Sequence, residues 1–317
     1  MTASSEWPMV SVVMIFWNAP RTFLDEAIRS VLAQTYEPIE LLLCDDGSDD
    51  ASTALARRWA RLDPARVRYV EHDGHAHRGM SATRNLGIAA ARGELLAFLD
   101  ADDVWRTAHL TGQVEALLGC PQATLVCGRA LDWRSWNGEA SRDVWSPLPW
   151  PSGTIVAPPQ MLTAVLRDGG YSTPICSLLV CCDVVLELGG SDDRFFHMYE
   201  DQVLLTKLYL TQHLIISDAE TAFYRQHDGS STSRAIRHRI YHPVEANRSR
   251  EAFLRWLQEQ PQLHGERVDP DLVNALDAAL MPYRRRLPRL RWRVRAVTRT
   301  ARAALSAVRR RHVTGQR

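Results

Sequence analysis

The sequence of 317 residues contains a single lysine, Lys207, so arginine carries nearly all of its positive charge. A coding bias explains this as well as recognition of phosphate groups does. No apolar run approaches the roughly 18 residues that a membrane-spanning helix needs. Residues 1–8 are polar and acidic, where a signal peptide would be basic and then apolar. We therefore expect a cytoplasmic protein with one large domain, or with one domain and an extension.

The six cysteines include no Cys-x2-Cys pair, so the sequence does not indicate a zinc ribbon or thioredoxin-type chemistry. Most of them lie in apolar runs, such as residues 176–182 (CSLLVCC). This placement predicts buried free thiols.

Acidic residues are absent from residues 283–317, which contain 13 arginines. The rest of the chain carries 25 basic and 37 acidic side chains, a net charge of −12. Apolar residues recur every three or four positions through 284–311, which predicts a basic amphipathic helix interrupted at Pro288. Such a helix can dock on an anionic membrane. A solvated helix or a protein-binding segment remains an alternative, and the acidic body argues against nucleic acid.

Short apolar segments alternate with segments of helical spacing. This pattern predicts an α/β fold, a mostly parallel sheet flanked by helices. In such sheets ligands bind at the carboxyl ends of the strands, here the loops after Phe16, Cys44 and Leu99. Residues 133–159 are predicted to be a long loop that acts as a lid or binds an acceptor. The predicted strands are 10–16, 39–44, 67–71, 95–99, 123–129 and 177–180, and the predicted helices are 23–34, 51–62, 82–91, 107–118, 159–167, 182–188 and 200–210.

Three carboxylates, Asp100, Asp102 and Asp103, crowd the end of the predicted strand 95–99. A divalent cation would offset their repulsion, because Mg²⁺ or Mn²⁺ takes one or two carboxylates together with phosphate oxygens. Such an ion would act as a Lewis acid on a departing phosphate. The alternative is an Asp-rich turn that caps the next helix.

Five segments together resemble glycosyltransferase family 2, whose inverting members have the GT-A fold. Their order and spacing fit across about the first 105 residues. The segments are 10–18 (VSVVMIFWN), 27–35 (AIRSVLAQT), 44–48 (CDDGS), 81–88 (SATRNLGI) and 93–103 (GELLAFLDADD).

The resemblance implies roles for five residues at the donor site. Trp17 would stack on the nucleotide base, where the family usually has tyrosine. Asp46 would accept a hydrogen bond from the base. Arg84 would pair with a donor phosphate or a neighbouring acid. Asp100 and Asp102 would be the ribose and metal contacts of the family's Asp-x-Asp element.

Two later segments also resemble parts of the family. Residues 188–193 (LGGSDD) and 198–201 (MYED) match its acceptor-side Gly-Gly element and Glu-Asp pair, which makes Asp201 the candidate catalytic base. Alternatively, Glu200 and Asp201 only favour a helix N-terminus. Residues 224–227 (YRQH) resemble a segment that closes over the donor. His227 would then approach the metal or a phosphate, or else remain a polar surface group.

The resemblance therefore implies an inverting, metal-dependent glycosyltransferase. It would move a sugar from a nucleotide-diphosphate donor, a UDP-sugar in the first place, to a hydroxyl of a glycan or lipid-linked glycan in cell-surface polysaccharide synthesis. The alternatives are a non-catalytic nucleotide- or glycan-binding relative and a sugar nucleotidyltransferase, which needs a glycine-rich loop that residues 17–20 lack. We predict a GT-A domain at 1–235, with a donor half (1–105) and an acceptor half (106–235). A helical extension (236–282) and the basic tail (283–317), docked at the inner face of the cell membrane, would follow.

Overall fold

The computed structural model describes residues 7–138, 143–167, 173–196, 198–242, 245–264 and 268–284. The strands are β1 (Val10–Phe16), β2 (Ile39–Asp45), β3 (Val67–Glu71), β4 (Leu95–Phe98), β5 (Val104–Trp105), β6 (Leu125–Cys127), β7 (Ala130–Trp133), β8 (Val144–Trp145), β9 (Ile155–Val156), β10 (Leu178–Cys181), β11 (Leu214–Ile216) and β12 (Ala222–Arg225). The helices are α1 (Arg21–Leu32), α2 (Ala51–Leu62), α3 (Met80–Ala90), α4 (His109–Leu118), α5 (Gln160–Arg167), α6 (Cys182–Glu187), α7 (Glu200–Thr211), α8 (Ser231–Arg237), α9 (Arg248–Gln258) and α10 (Pro270–Arg284).

The main sheet has the strand order β3-β2-β1-β4-β10-β6-β11-β9. Its strands run in one direction except β10 and β9, which are antiparallel to their neighbours. Every residue of β1, β2 and β4 is buried, as expected for parallel strands covered by helices on both faces. The predicted α/β fold with a mostly parallel sheet is confirmed.

The register of this sheet brings the predicted functional loops together. Phe16 pairs with Asp45, and Val13 pairs with Phe98, so β1, β2 and β4 end at the same edge. Trp17, Asp46 and Asp100 follow directly after these strands. The predicted convergence of three strand ends is therefore present in the structure.

A second sheet of four strands has the order β5-β12-β7-β8. Its strand β12 runs parallel to β7 and antiparallel to β5, which follows the Asp-rich turn. The prediction of a long loop without strands over 133–159 is wrong, because this range contains β8 and β9. These strands have two residues each, too few to show a periodic pattern. β8 pairs with β7, and β9 pairs with the distant β11. A role of this range as a lid or in acceptor binding stays a prediction.

The predicted C-terminal extension is helical and shares the core of the main sheet. Leu254 and Leu257 of α9 and Leu276 and Leu280 of α10 are buried in the same hydrophobic cluster as α7. The extension is thus part of one packed body, and α10 continues to Arg284. The remainder of the predicted tail, 285–317, lies outside the described residues.

The cysteines are all free thiols, five of them buried and Cys181 partly exposed. This confirms the prediction made from their apolar surroundings. Across the described ranges, no helix combines the length and apolar character needed to cross a membrane.

His109 on α4 is a neutral buried histidine, and it predicts a pH effect on stability. Its ring stacks on Trp105 at 4.4 Å, its Nδ1 bonds Thr221 Oγ1 at 2.8 Å, and burial lowers its pKa to about 3. Between that value and the unfolded pKa of about 6.5, the unfolded chain binds the extra proton, so stability falls as the pH falls. We expect His109→Gln to reduce the slope of the free energy of unfolding against pH in this range by up to about 1.4 kcal/mol per pH unit. Chemical denaturation at a series of acidic pH values measures this slope.

The matched control is His213→Gln. The side chain of His213 is exposed, so this variant makes the same replacement without disturbing the core. Equal slopes for wild type and His109→Gln would contradict the expectation.

Candidate active site

A cleft of about 860 Å³ lies where β1, β2 and β4 end. It also reaches the start of α7 and the segment that follows β12. Six of the seven predicted site residues line it, and Arg84 is buried behind its wall. The six are Trp17, Asp46, Asp100, Asp102, Asp201 and His227.

One wall of the cleft is aromatic. The Trp17 side chain is 47% exposed and stacks on His77, with ring centroids 4.7 Å apart and an interplanar angle of 23°. The edge of Phe196 meets His77 at 5.3 Å. An exposed indole supported in this way offers a flat apolar surface to a planar ring. Neither His77 nor Phe196 was predicted as a site residue, because their segments match no motif.

Asp46 is buried and holds the loop that carries His77. Its carboxylate accepts hydrogen bonds from the backbone N–H groups of Arg78, at 2.7 Å, and Gly79, at 3.0 Å. His77 Nδ1 lies 2.9 Å from Asp46 Oδ2. Gly79 has a φ of +90°, and a Cβ there would collide with the Phe196 ring, so glycine is required. A contact of Asp46 with a nucleotide base stays a prediction.

Arg84 on α3 neutralises part of an acidic cluster from behind. Its side chain is 2% exposed; Nη2 lies 3.6 Å from Asp100 Oδ1, and Nη1 pairs with Glu200. Burial raises the pKa of Asp100 to about 6, with Arg84 opposing and with Asp102 and Asp201 adding to the rise. The cleft therefore concentrates negative charge that one arginine offsets only in part, and a cation would be stabilised there.

Asp102 and His227 form the pair best suited to hold that cation. Asp102 Oδ2 and His227 Nε2 are 2.8 Å apart, a separation that two ligands of one ion can have. No group of three His, Cys, Asp or Glu side chains with metal-binding potential occurs in the described part of the chain. A carboxylate and an imidazole fit a divalent cation that takes its other ligands from phosphate oxygens.

Arg225, at the end of β12, braces the Asp-rich turn and was missed by the sequence reasoning. Its backbone N–H donates to Asp103 Oδ1 at 2.9 Å, and its Nε donates to the backbone oxygen of Asp102 at 2.6 Å. Its Nη2 donates to Glu26 Oε2 at 2.6 Å. Asp103 is buried, and burial raises the pKa of its carboxyl well above the usual value.

Three aromatic rings surround the Arg225 guanidinium. Its Cζ lies 4.4 Å from the ring centroid of Phe23, 4.5 Å from Trp133 and 5.2 Å from Trp136. Cation–π attraction is strongest where the cation is desolvated, as it is here with Arg225 3% exposed. Arg225 belongs to the Tyr224–His227 motif, but its partners come from distant segments that no local pattern connects.

We expect Arg225→Lys to lower the free energy of unfolding by about 2 kcal/mol, measured by chemical denaturation. Lysine keeps the charge but loses the planar fork that both stacks and donates. Arg106→Lys is the control, because Arg106 is exposed and covers one ring, Phe223, at 5.0 Å. The free energy of unfolding of Arg106→Lys should differ from that of wild type by less than about 0.5 kcal/mol. Equal losses in the two variants would show that the aromatic surroundings of Arg225 contribute nothing.

Asp201 lies in the first turn of α7, beside the acidic cluster. Tyr199, the residue before the helix, has a left-handed φ of 67° and stacks on Phe253 of α9 at 4.9 Å. The helical extension thus fixes the backbone at the start of α7. Asp201 Oδ1 accepts the N–H of Gln202 at 2.7 Å, and the carboxylate lines the cleft. Glu200 turns inward to Arg84, so the two acids have separate surroundings.

The structure therefore combines a mostly parallel sheet with an acidic cleft at the carboxyl ends of its strands, which is where ligands bind in folds of this kind. Residues 11–165 match the family model for glycosyl transferase family 2. This match covers just under half of the chain and confirms the resemblance. Over residues 11–165 the chain is therefore similar to glycosyl transferase family 2.

Two curated relatives and one solved structure illustrate the similarity. The chain is 41% identical over 106 residues to the uncharacterized glycosyltransferase alr2836 of Nostoc sp., covering 33% of this chain and 32% of that protein. It is 34% identical over 110 residues to the Escherichia coli UDP-Glc:alpha-D-GlcNAc-diphosphoundecaprenol beta-1,3-glucosyltransferase WfgD, covering 35% and 41%. The chain spans about a third of the length of the first curated relatives it matches.

The fold is that of the GT-A glycosyltransferases. The mannosyltransferase PcManGT from Pyrobaculum calidifontis, solved in complex with GDP-Man and Mn²⁺, superposes with a TM-score of 0.58 at 17% identity. The superposition covers 95% of this chain and 76% of that chain. A coverage of 95% means that the superposition extends well beyond residues 11–165, which the family model matches.

Proposed function

We propose that the protein is an inverting glycosyltransferase that moves a sugar from a nucleoside diphosphate to a hydroxyl of a glycan or lipid-linked glycan. The observation that carries the proposal is the single cleft in which Trp17, the Asp102–His227 pair and Asp201 meet. An aromatic surface suits the base, the pair suits a cation on a diphosphate, and a separate carboxylate suits proton removal.

Asp201 acts as the general base in this proposal. Its carboxylate takes the proton of the acceptor hydroxyl while the hydroxyl oxygen bonds to the anomeric carbon. The bond from that carbon to the diphosphate oxygen breaks, and the nucleoside diphosphate leaves with the electron pair. Attack from the face opposite the leaving group inverts the anomeric configuration. Glu200 is held by Arg84, which leaves Asp201 as the carboxylate available for this step.

Trp17, Asp46 and Asp100 bind the nucleoside in this proposal, and Arg84 sets the position and charge of Asp100. Asp102 and His227 hold Mn²⁺ or Mg²⁺, which when bound supplies Lewis-acid stabilisation of the leaving diphosphate. Support comes from the structurally similar PcManGT complex, which contains GDP-Man and Mn²⁺. A UDP-sugar is the first donor to test, since the relative WfgD is described as using UDP-Glc.

The acceptor is proposed to belong to cell-surface polysaccharide synthesis. WfgD is described as acting on a diphosphoundecaprenol-linked sugar, and another relative is a putative teichuronic acid biosynthesis glycosyltransferase of Bacillus subtilis. A cytoplasmic protein at the inner face of the membrane would meet such acceptors. The arginine-rich residues 284–311 would add attraction to an anionic surface.

The test is release of nucleoside diphosphate from a panel of UDP-, GDP- and dTDP-sugars, with Mn²⁺ and with chelator. Even without the natural acceptor, slow transfer to water is expected from one donor class, and chelation should stop it. No release from any donor above the rate without protein, together with no nucleotide binding, would favour the non-catalytic alternative.

A further inference from the structure

A basic and apolar surface borders the cleft on the side of Asp201. We call it the basic flank, and it consists of Arg234, His238, Ile240 and Tyr241, all of which line the cleft. Arg234 comes from α8, and the other three come from the turn after it. Arg234, His238 and Ile240 are exposed, Ile240 at 48%.

The basic flank adjoins the candidate base. The ring of Tyr241 meets the ring of Tyr199 at 6.0 Å and 71°, and Tyr199 directly precedes the first turn of α7. Asp201 also contributes, after burial, to raising the pKa of Tyr241. When the hydroxyl of an acceptor substrate reaches Asp201, another part of the same acceptor molecule would therefore lie near the basic flank.

Positive charge on the basic flank is not neutralised locally. The sequence has no acidic residue between Asp228 and Glu245, and Arg234 has no carboxylate partner within the described ranges. By contrast, the two buried arginines that contact the Asp-rich turn, Arg84 and Arg225, pair with Glu200 and Glu26. A free guanidinium at the rim of an acidic cleft is suited to an anionic group of a ligand.

We propose that the basic flank binds the phosphate of an acceptor in which a sugar is linked through a diphosphate to a prenyl chain. The inference rests on the proposed function and specifies its acceptor. Arg234 and His238 would bind the phosphate oxygens, and Ile240 would contact the first isoprene units. A neutral glycan would leave the guanidinium unpaired, and the donor's diphosphate is already assigned to Asp102 and His227.

The experiment titrates the full chain with farnesyl diphosphate in the presence of chelator and without nucleotide. We expect Arg234→Gln to weaken binding by about tenfold, the effect of one charge-assisted contact. Arg237→Gln is the matched control, because Arg237 lies on the same helix, is exposed and does not line the cleft. It should change the affinity by less than about twofold. Farnesol, which lacks the diphosphate, should bind much more weakly than farnesyl diphosphate.

If farnesyl diphosphate binds wild type and Arg234→Gln equally well, the inference is overturned. Equal losses of affinity in Arg234→Gln and Arg237→Gln would also overturn it, because they would indicate non-specific attraction of the diphosphate to arginine. Titration of the same proteins with UDP and GDP plus Mn²⁺ separates the two levels of the account. Wild type that binds a nucleoside diphosphate but not farnesyl diphosphate contradicts the acceptor inference alone. Wild type that binds no nucleoside diphosphate contradicts the proposed function as well.

Discussion

Replacing Asp201 by asparagine is expected to lower the rate of sugar transfer by roughly a thousandfold and to leave donor binding unchanged. Asparagine keeps the size and the hydrogen bond from the Gln202 N–H but cannot take a proton from the acceptor hydroxyl. The loss should therefore fall on kcat, with the dissociation constant of the nucleotide unaltered. Steady-state kinetics together with nucleotide titration measure the two quantities.

The control for this variant is Asp183→Asn. Asp183 stands in the first turn of α6 as Asp201 stands in the first turn of α7, but it is exposed and does not line the cleft. If Asp201 only stabilises its helix N-terminus, both variants should lose a few tenths of a kcal/mol of stability, about as much as each other. Activity of Asp201→Asn within about twofold of wild type would then assign Asp201 a helix-stabilising role only.

Replacing Asp102 by asparagine is expected to abolish the metal-dependent part of nucleoside diphosphate binding. Asparagine removes the negative charge that faces the cation but can keep the contact with His227 Nε2 at 2.8 Å. Loss of a first ligand should exceed the loss of about 10- to 100-fold that outer-shell partners cause. Titration with Mn²⁺ and nucleotide measures it.

The wild-type protein in chelator provides the reference for Asp102→Asn. The variant with Mn²⁺ should bind nucleotide as weakly as wild type does without metal. Any binding that remains should be insensitive to the cation, since the aromatic contact with Trp17 needs none. Full Mn²⁺ dependence in the variant would refute the assignment of Asp102.

Much of the fold could be predicted because the local signals agree with the tertiary structure. The bounds of β1, α2 and β3 match the predicted segments 10–16, 51–62 and 67–71. The apolar, β-branched run of β1 is typical of a central strand that is buried on both faces. The turn residues after β2 and β4 marked the strand ends, and the topology of a parallel sheet then placed those ends together.

The second sheet could not be predicted for a physical reason. Strands β5 and β8 have two residues each and gain their stability from pairing, β5 with the distant β12 and β8 with β7. Propensity and periodicity act over neighbouring residues, so they carry no information about such pairs.

The residues that hold the site residues in position, Arg225 and His77, were not predicted from the sequence for the same reason. Arg225 is buried among aromatic rings from α1, β7 and the turn after β7, and His77 is placed by a carboxylate from the end of β2. Each is an ordinary polar residue in its own segment. Several residues that the family resemblance indicated, such as Trp17, Asp46 and Asp100, follow strand ends that local patterns mark. Arg225 and His77 depend instead on tertiary contacts.

Calorimetric titration of the purified protein with UDP, GDP, dTDP and CMP, with Mn²⁺ and with chelator, tests the central claim most directly. We predict that one nucleoside diphosphate binds selectively and that chelator abolishes most of its affinity. Absence of binding for every nucleotide in both conditions would contradict a donor site in this cleft.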